Sequence, residues 1–173
     1  MSFLLRPAVR VRGSVQGGVL VDAPPADNNA DDTDEDDDGV ADASESTGVI
    51  TAYGSAAAIQ IGGAGDIVLG AVGTGVDAYG LVVKGSANGI GLYDGVSSLG
   101  VEIGGPGGRV NIANGIKVDG LISASAVQAG AVGLHLKSGA TAPVIANSAV
   151  IQALATSENA VDVRAIQIDA GAS

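Results

Sequence analysis

The residues best suited to chemistry lie in one stretch, DTDEDDDGVADASE, residues 32–45. Asp34, Asp36, Asp38 and Gly39, followed by Glu45 at the twelfth position, match the spacing DxDxDGx5E in full. Calcium takes roughly six to eight hard oxygens, and alternate carboxylates on a loop hinged at glycine can wrap one ion. Val40 would add its backbone carbonyl, and Asp42 would bind directly or through water. The candidate calcium ligands are therefore Asp34, Asp36, Asp38, Val40, Asp42 and Glu45. The competing reading is a solvated, disordered acidic loop. A segment so rich in Asp meets the pattern easily, no helical pattern flanks it, and Ala41 at the eighth position is too small to anchor a paired loop.

A second cluster could form if Glu102 and the lone histidine, His135, face the same way, with Lys84, Arg109 and Lys137 as neighbours. Glycoside hydrolysis needs two carboxyls flanking one bond, and only Glu102 is available there. A surface hydrogen bond between stacked Glu102 and His135 is the plainer reading. In GGAGDIVLG, residues 62–70, Asp66 falls one position early for a calcium roll and the motif occurs once, so a turn is expected. GGPGG at 104–108 precedes a strand and reads as a loop.

The elements that must position these groups are short and apolar. A small residue, an aliphatic, any residue, an aliphatic and a nearby glycine recur as AVRVRG, AIQIGG, GLVVKG, GVEIGG, GLHLKSG and AIQIDAG. Their first aliphatics are Val9, Ile59, Leu81, Val101, Leu134 and Ile166, at intervals of 50, 22, 20, 33 and 32 residues. Removing the block 24–47 as an inserted acidic loop brings the first interval to 26. At an offset of 33, Val101 maps to Leu134, Ile112-Ala113-Asn114 to Ile145-Ala146-Asn147, and Leu121 to Leu154. A GxIxA element recurs at Gly48, Ile50 and Ala52 and at Gly120, Ile122 and Ala124, with Ala149, Ile151 and Ala153 as a variant.

Period-two alternation of β-branched residues between glycine-rich turns predicts strands, and repeats of this length predict a parallel β-helix. Strands are expected near 58–61, 81–84, 100–103, 133–136 and 165–168 along one sheet, with almost no helix after residue 48. Gln60, Val82, Glu102, His135 and Gln167 would form an outward ladder. Asn114 and Asn147 would either stack as an amide ladder or serve in plain turns.

Composition agrees with a thin interior: 28 glycines, one Phe, three Tyr and no Trp or Cys in 173 residues. Of 19 acids, ten lie between Asp27 and Glu45, which leaves nine against eight bases elsewhere. The net charge of −11 thus belongs to one loop, and no broad basic face is left for nucleic acid. No apolar run approaches the roughly 20 residues of a membrane helix, so no membrane insertion by this segment is expected. The opening MSFLLRPAV is too short in its apolar core for a secretory signal peptide.

TGVITA, VDGLISASA and IANSAVIQALATS, alternating with GLVVKG and GLHLKSG, resemble the passenger regions of bacterial autotransporter-type surface proteins. The resemblance covers most of the chain outside the acidic block. It implies a right-handed β-helix, here of about five coils over residues 1–173, exported to the outer-membrane surface of a Gram-negative bacterium or secreted. The family's C-terminal membrane barrel has no counterpart in these residues, and the repeat still runs at Ile168, so the chain is expected to continue in both directions. The expected role is structural and non-enzymatic, a stalk or adhesin passenger with a calcium-binding loop. Its expected partners are a surface glycan or protein ligand and further coils stacked end to end. The alternative is a carbohydrate-active β-helix enzyme, a lyase or hydrolase.

Overall fold

The structure is a computed structural model that describes residues 6–25, 28–29, 31–35, 39–75, 78–105 and 107–173. The chain is all-β. Among the described residues sixteen strands run in order: β1 Val9–Val11, β2 Val19–Val21, β3 Val49–Tyr53, β4 Ala57–Ile61, β5 Ile67–Leu69, β6 Leu81–Val83, β7 Ser86–Gly91 and β8 Ser98–Ile103, then β9 Val110–Ile112, β10 Ile116–Val118, β11 Leu121–Val127, β12 Ala131–Leu136, β13 Ala140–Thr141, β14 Ile145–Asn147, β15 Val150–Thr156 and β16 Val163–Ile168. Among the described residues the only helical turn is Asp42–Ser44, and no helix is long and apolar enough to cross a membrane.

Strands pair in parallel with their equivalents about four elements away, an arrangement consistent with a β-solenoid. The first sheet runs β1-β4-β8-β12-β16, the second β5-β9-β13, the third β2-β6-β10-β14 and the fourth β3-β7-β11-β15. Val15, bridged to Leu69, extends the second sheet by one residue.

The inward positions are those of the alternating pattern. Val9, Ile59, Val101, Leu134 and Ile166 align across the first sheet, and two residues on so do Val11, Ile61, Ile103, Leu136 and Ile168. Ile59, Ile61, Val101, Ile103, Leu134 and Leu136 are at most 1% exposed. Each full burial of such a side chain contributes about 1.5–3 kcal/mol. On the edge strand β16 the same ladders open, leaving Ile166 41% and Ile168 57% exposed.

Three expectations are corrected. Leu81 and Val83 belong to the third sheet, between Val19 and Val21 on one side and Ile116 and Val118 on the other. Val82 therefore leaves the outward ladder of the first sheet, and Arg10 joins it. No single offset holds around the repeat: Val101 pairs with Leu134, 33 residues on, but Ile116 pairs with Ile145 and Leu121 with Val150, each 29 on. The corners differ in length, so a match that is correct on one face slips on the next. Asn114 and Asn147 do not stack for the same reason. Asn114 turns the chain between β9 and β10 at φ 57° and donates its amide to the Ala78 carbonyl at 2.8 Å, while Asn147 sits beside Val118. The GxIxA alignment does hold, since Ile50, Ala87, Ile122 and Ile151 share one ladder.

Candidate functional site

The outward face of the first sheet carries a polar ladder, Arg10, Gln60, Glu102, His135 and Gln167, one residue per strand. Gln60 donates from Nε2 to Glu102 Oε1 at 2.6 Å, and Lys137 Nζ approaches Glu102 Oε2 at 3.4 Å. Glu102 is thereby satisfied from both sides. His135 turns the other way, with Nε2 3.0 Å from Asp169 Oδ1, which accepts from Gln167 Nε2 at 2.9 Å. The Gln167 hydrogen bond, then the close approach of the His135 imidazole, holds the Asp169 carboxyl below its ordinary value. Glu102 and His135 are neighbours in register, as the repeats suggest, but Glu102 is bonded to Gln60 and Lys137, while His135 Nε2 is buried within ion-pair distance of Asp169 without an aligned hydrogen bond.

One position beyond these strands' last inward residues stand Arg12, Gly62, Gly104 and Lys137. The two glycines leave a gap between two cations. The result is a cleft of about 660 Å³ bordered by Arg10, Arg12, Gln60, Glu102 and Lys137, with Gly62, Gly63 and Gly104 in its floor. Lys84 is not part of it: it pairs with Asp22 at 3.2 Å, on the corner that follows the third sheet. Arg109 does not line it either. Arg10 and Arg12 were the residues missed in sequence. Their signal was the first copy of the repeat, AVRVRG, in which both arginines take outward positions.

Ser98, buried on β8 with no hydrogen-bond partner for Oγ among the described residues, shares a smaller hollow with His135 and Asp162. Ser98 aligns with Ala131, four residues before His135. At about 3.3 Å per residue the two lie roughly 13 Å apart along the sheet, far beyond nucleophile–base reach.

The acidic block leaves the scaffold between Asp22 and Gly48, where the Gly48 amide donates to the Asp22 carbonyl at 2.8 Å. The equivalent corner, Lys84-Gly85, needs two residues between β6 and β7. Of the proposed ligands, Asp36 and Asp38 lie outside the described residues. Asp34 Oδ2 accepts from the Gly39 amide at 2.9 Å across the sharp turn, where Gly39 has φ 89°. Asp42 opens the helical turn and accepts from the Glu35 amide at 3.3 Å, and Glu45 closes that turn on the Asp42 carbonyl at 3.2 Å. Val40 is exposed. Glu35, not singled out in sequence, organises the loop by accepting from the amides of Asn28 and Asn29 at 3.0 and 3.1 Å. The Asn29 hydrogen bond favours its carboxylate, but burial and the neighbouring Asp42 outweigh it and hold the carboxyl above its ordinary value. Among the described residues no three acidic or histidine side chains converge as a metal site.

Taken together, the described residues present a glycine-floored cationic cleft on the first sheet and, from the corner after the third, a hydrogen-bonded acidic loop. Compared with known proteins, the chain matches no family model, no curated protein and no solved structure.

Proposed function

We propose that the chain is a structural segment of a surface-displayed or secreted protein, a right-handed parallel β-helix of about five coils that serves as a stalk or adhesin passenger. The observation that carries this reading is the unbroken parallel stacking of equivalent strands across all four sheets. At about 4.8 Å per level, five levels make a rod roughly 25 Å long. Such stacking transmits length and rigidity and leaves outward positions and corner loops free to vary. The autotransporter-type resemblance supplies the cell-surface location. Antibody raised against the folded rod should label intact cells of the source bacterium. Labelling that appears only after the cells are permeabilised would overturn the location.

The acidic loop is part of this reading as a weak calcium site of Asp34, Asp36, Asp38, Val40, Asp42 and Glu45, supported by the turn that Asp34 and Gly39 already close. Extracellular loops of this kind bind at about 10⁻⁴–10⁻³ M. At about 1 mM calcium, linkage then limits the gain in stability to roughly 0.4–1.4 kcal/mol. Titration calorimetry should show a saturable heat that an Asp34→Asn, Glu45→Gln variant lacks. The same weak heat in both proteins, suppressed by salt, would mean counterion condensation and no site. The hydrolase form of the carbohydrate-active alternative lacks its pair of carboxyls in the cleft, where Glu102 is the single carboxylate among the lining residues.

A further inference from the structure

We infer that the glycine-floored cleft binds an extended anionic saccharide, seating a carboxylate or sulfate group on Arg10 and Arg12. Elsewhere Lys84 pairs with Asp22, Lys117 with Asp119 and, at the far edge of the same sheet, Arg164 with Asp162, while Arg6 and Arg109 stand apart from each other and from the cleft. Within the cleft Lys137 and Glu102 neutralise one another. Arg10 and Arg12 are exposed, two residues apart on the same side of the strand, and make no ion pair or side-chain hydrogen bond among the described residues. Two adjacent uncompensated guanidinium groups repel each other and lack the planar oxygen acceptors that their fork geometry fits. An oxyanion on the ligand supplies both.

The shape of the cleft selects the rest of the ligand. Arg12, Gly62, Gly104 and Lys137 follow one another over four levels, so the two cations are separated by about 14 Å of backbone floor. That span suits a chain and not a single small ion, and a cleft of about 660 Å³ lies in the ordinary range for ligand sites. A side chain is excluded from the floor: a Cβ at Gly62 would meet the Gly104 carbonyl at 2.8 Å, and one at Gly104 would meet the Lys137 carbonyl at 2.9 Å. Gln60, whose Nε2 is engaged by Glu102, keeps its amide oxygen as an acceptor for a hydroxyl group along the way. No aromatic side chain lines the cleft to stack a base, which disfavours single-stranded nucleic acid. Ala64 is the single apolar side chain in its lining, which gives an acidic peptide nothing to anchor on.

Calorimetry at low salt with four probes tests the assignment: a galacturonate tetrasaccharide, a sulfated maltotetraose, maltotetraose itself and a short polyglutamate peptide. The wild-type protein should bind one or both anionic sugars, with the neutral sugar and the peptide at least about tenfold weaker. Which anionic sugar binds tells carboxylate from sulfate. An Arg10→Gln, Arg12→Gln variant should lose roughly a hundredfold, about tenfold for each charge-assisted contact. Arg12→Lys should fall between, since it keeps the charge and loses the fork, and Arg164→Gln should bind as wild type. All three variants change exposed side chains and should keep the wild-type circular dichroism spectrum. Equal affinity in the double variant, no affinity for either anionic sugar, or tighter binding of polyglutamate would each overturn the inference.

Discussion

Leu134→Asp should lower the stability of the rod by about 5 kcal/mol, enough to unfold a domain of ordinary stability. Leu134 is fully buried in the first sheet, between Val101 and Ile166 on one ladder. Removing the side chain alone costs about 3 kcal/mol or more at a site that cannot collapse. The aspartate adds a carboxyl with no partner, which must either stay ionised without water or take up a proton. A urea series with Leu134→Ala separates the two contributions, and a shift no larger than that of Leu134→Ala would show that the position reaches solvent. The matched outward substitution, Gln60→Asp, is expected from sequence to cost little. The structure raises that expectation to about 1 kcal/mol, because it replaces the donor to Glu102 with a second anion directly opposite it.

The facing of most strands was legible because alternation needs no knowledge of neighbours; β6 is the exception, since Val82, expected outward, is buried along with Leu81 and Val83. Val-Glu-Ile and Leu-His-Leu announce which residues point inward wherever the strand is placed. Placement was harder. AVRVRG, GLVVKG and GVEIGG satisfy the same short pattern, yet Leu81 lies in a different sheet from Val9 and Val101. An aliphatic-x-aliphatic strand carries no label for its sheet; the label lies in the corners. The corner between β5 and β6 runs from Gly70 to Gly80, whereas the one between β9 and β10 spans only residues 113–115. The extra length there made the interval from Ile59 to Val101 look like two repeats. The acidic block was visible from composition alone, and its calcium pattern from spacing. The cleft was not, since it depends on Gly62 and Gly104 falling level with Arg12 and Lys137, a register that no local pattern encodes.

Gly100→Val should cost more than 3 kcal/mol, although it adds an apolar side chain to an apolar interior. The first and fourth sheets pack face to face at this point, backbone against backbone. A Cβ on Gly100 would sit 2.5 Å from the Gly133 carbonyl oxygen and 2.9 Å from that of Ser123, on β12 and β11 respectively. Both atoms belong to hydrogen-bonded strands, so neither can yield without parting the sheets. Gly133 repeats the arrangement one level on, with the Ala165 oxygen at 2.6 Å and the Gln152 oxygen at 2.9 Å. Added volume in a closed interior commonly costs about 1–3 kcal/mol through shifts of flexible side chains, and here the two nearest atoms are backbone, with the Ile122 methyl third at 3.0 Å, so a side-chain shift alone cannot make room. Gly65→Ala is the control: its Cβ would meet nothing within 4 Å, so the change should stay within about 0.5 kcal/mol. Equal urea midpoints for the two variants would mean that the sheets stand further apart. The same closeness accounts for the composition. Ala124, Ala126 and Ala131 fill the end of this seam, while Tyr53 and Tyr93 are left 63% and 72% exposed, because an interior two backbones thick has no room for a ring.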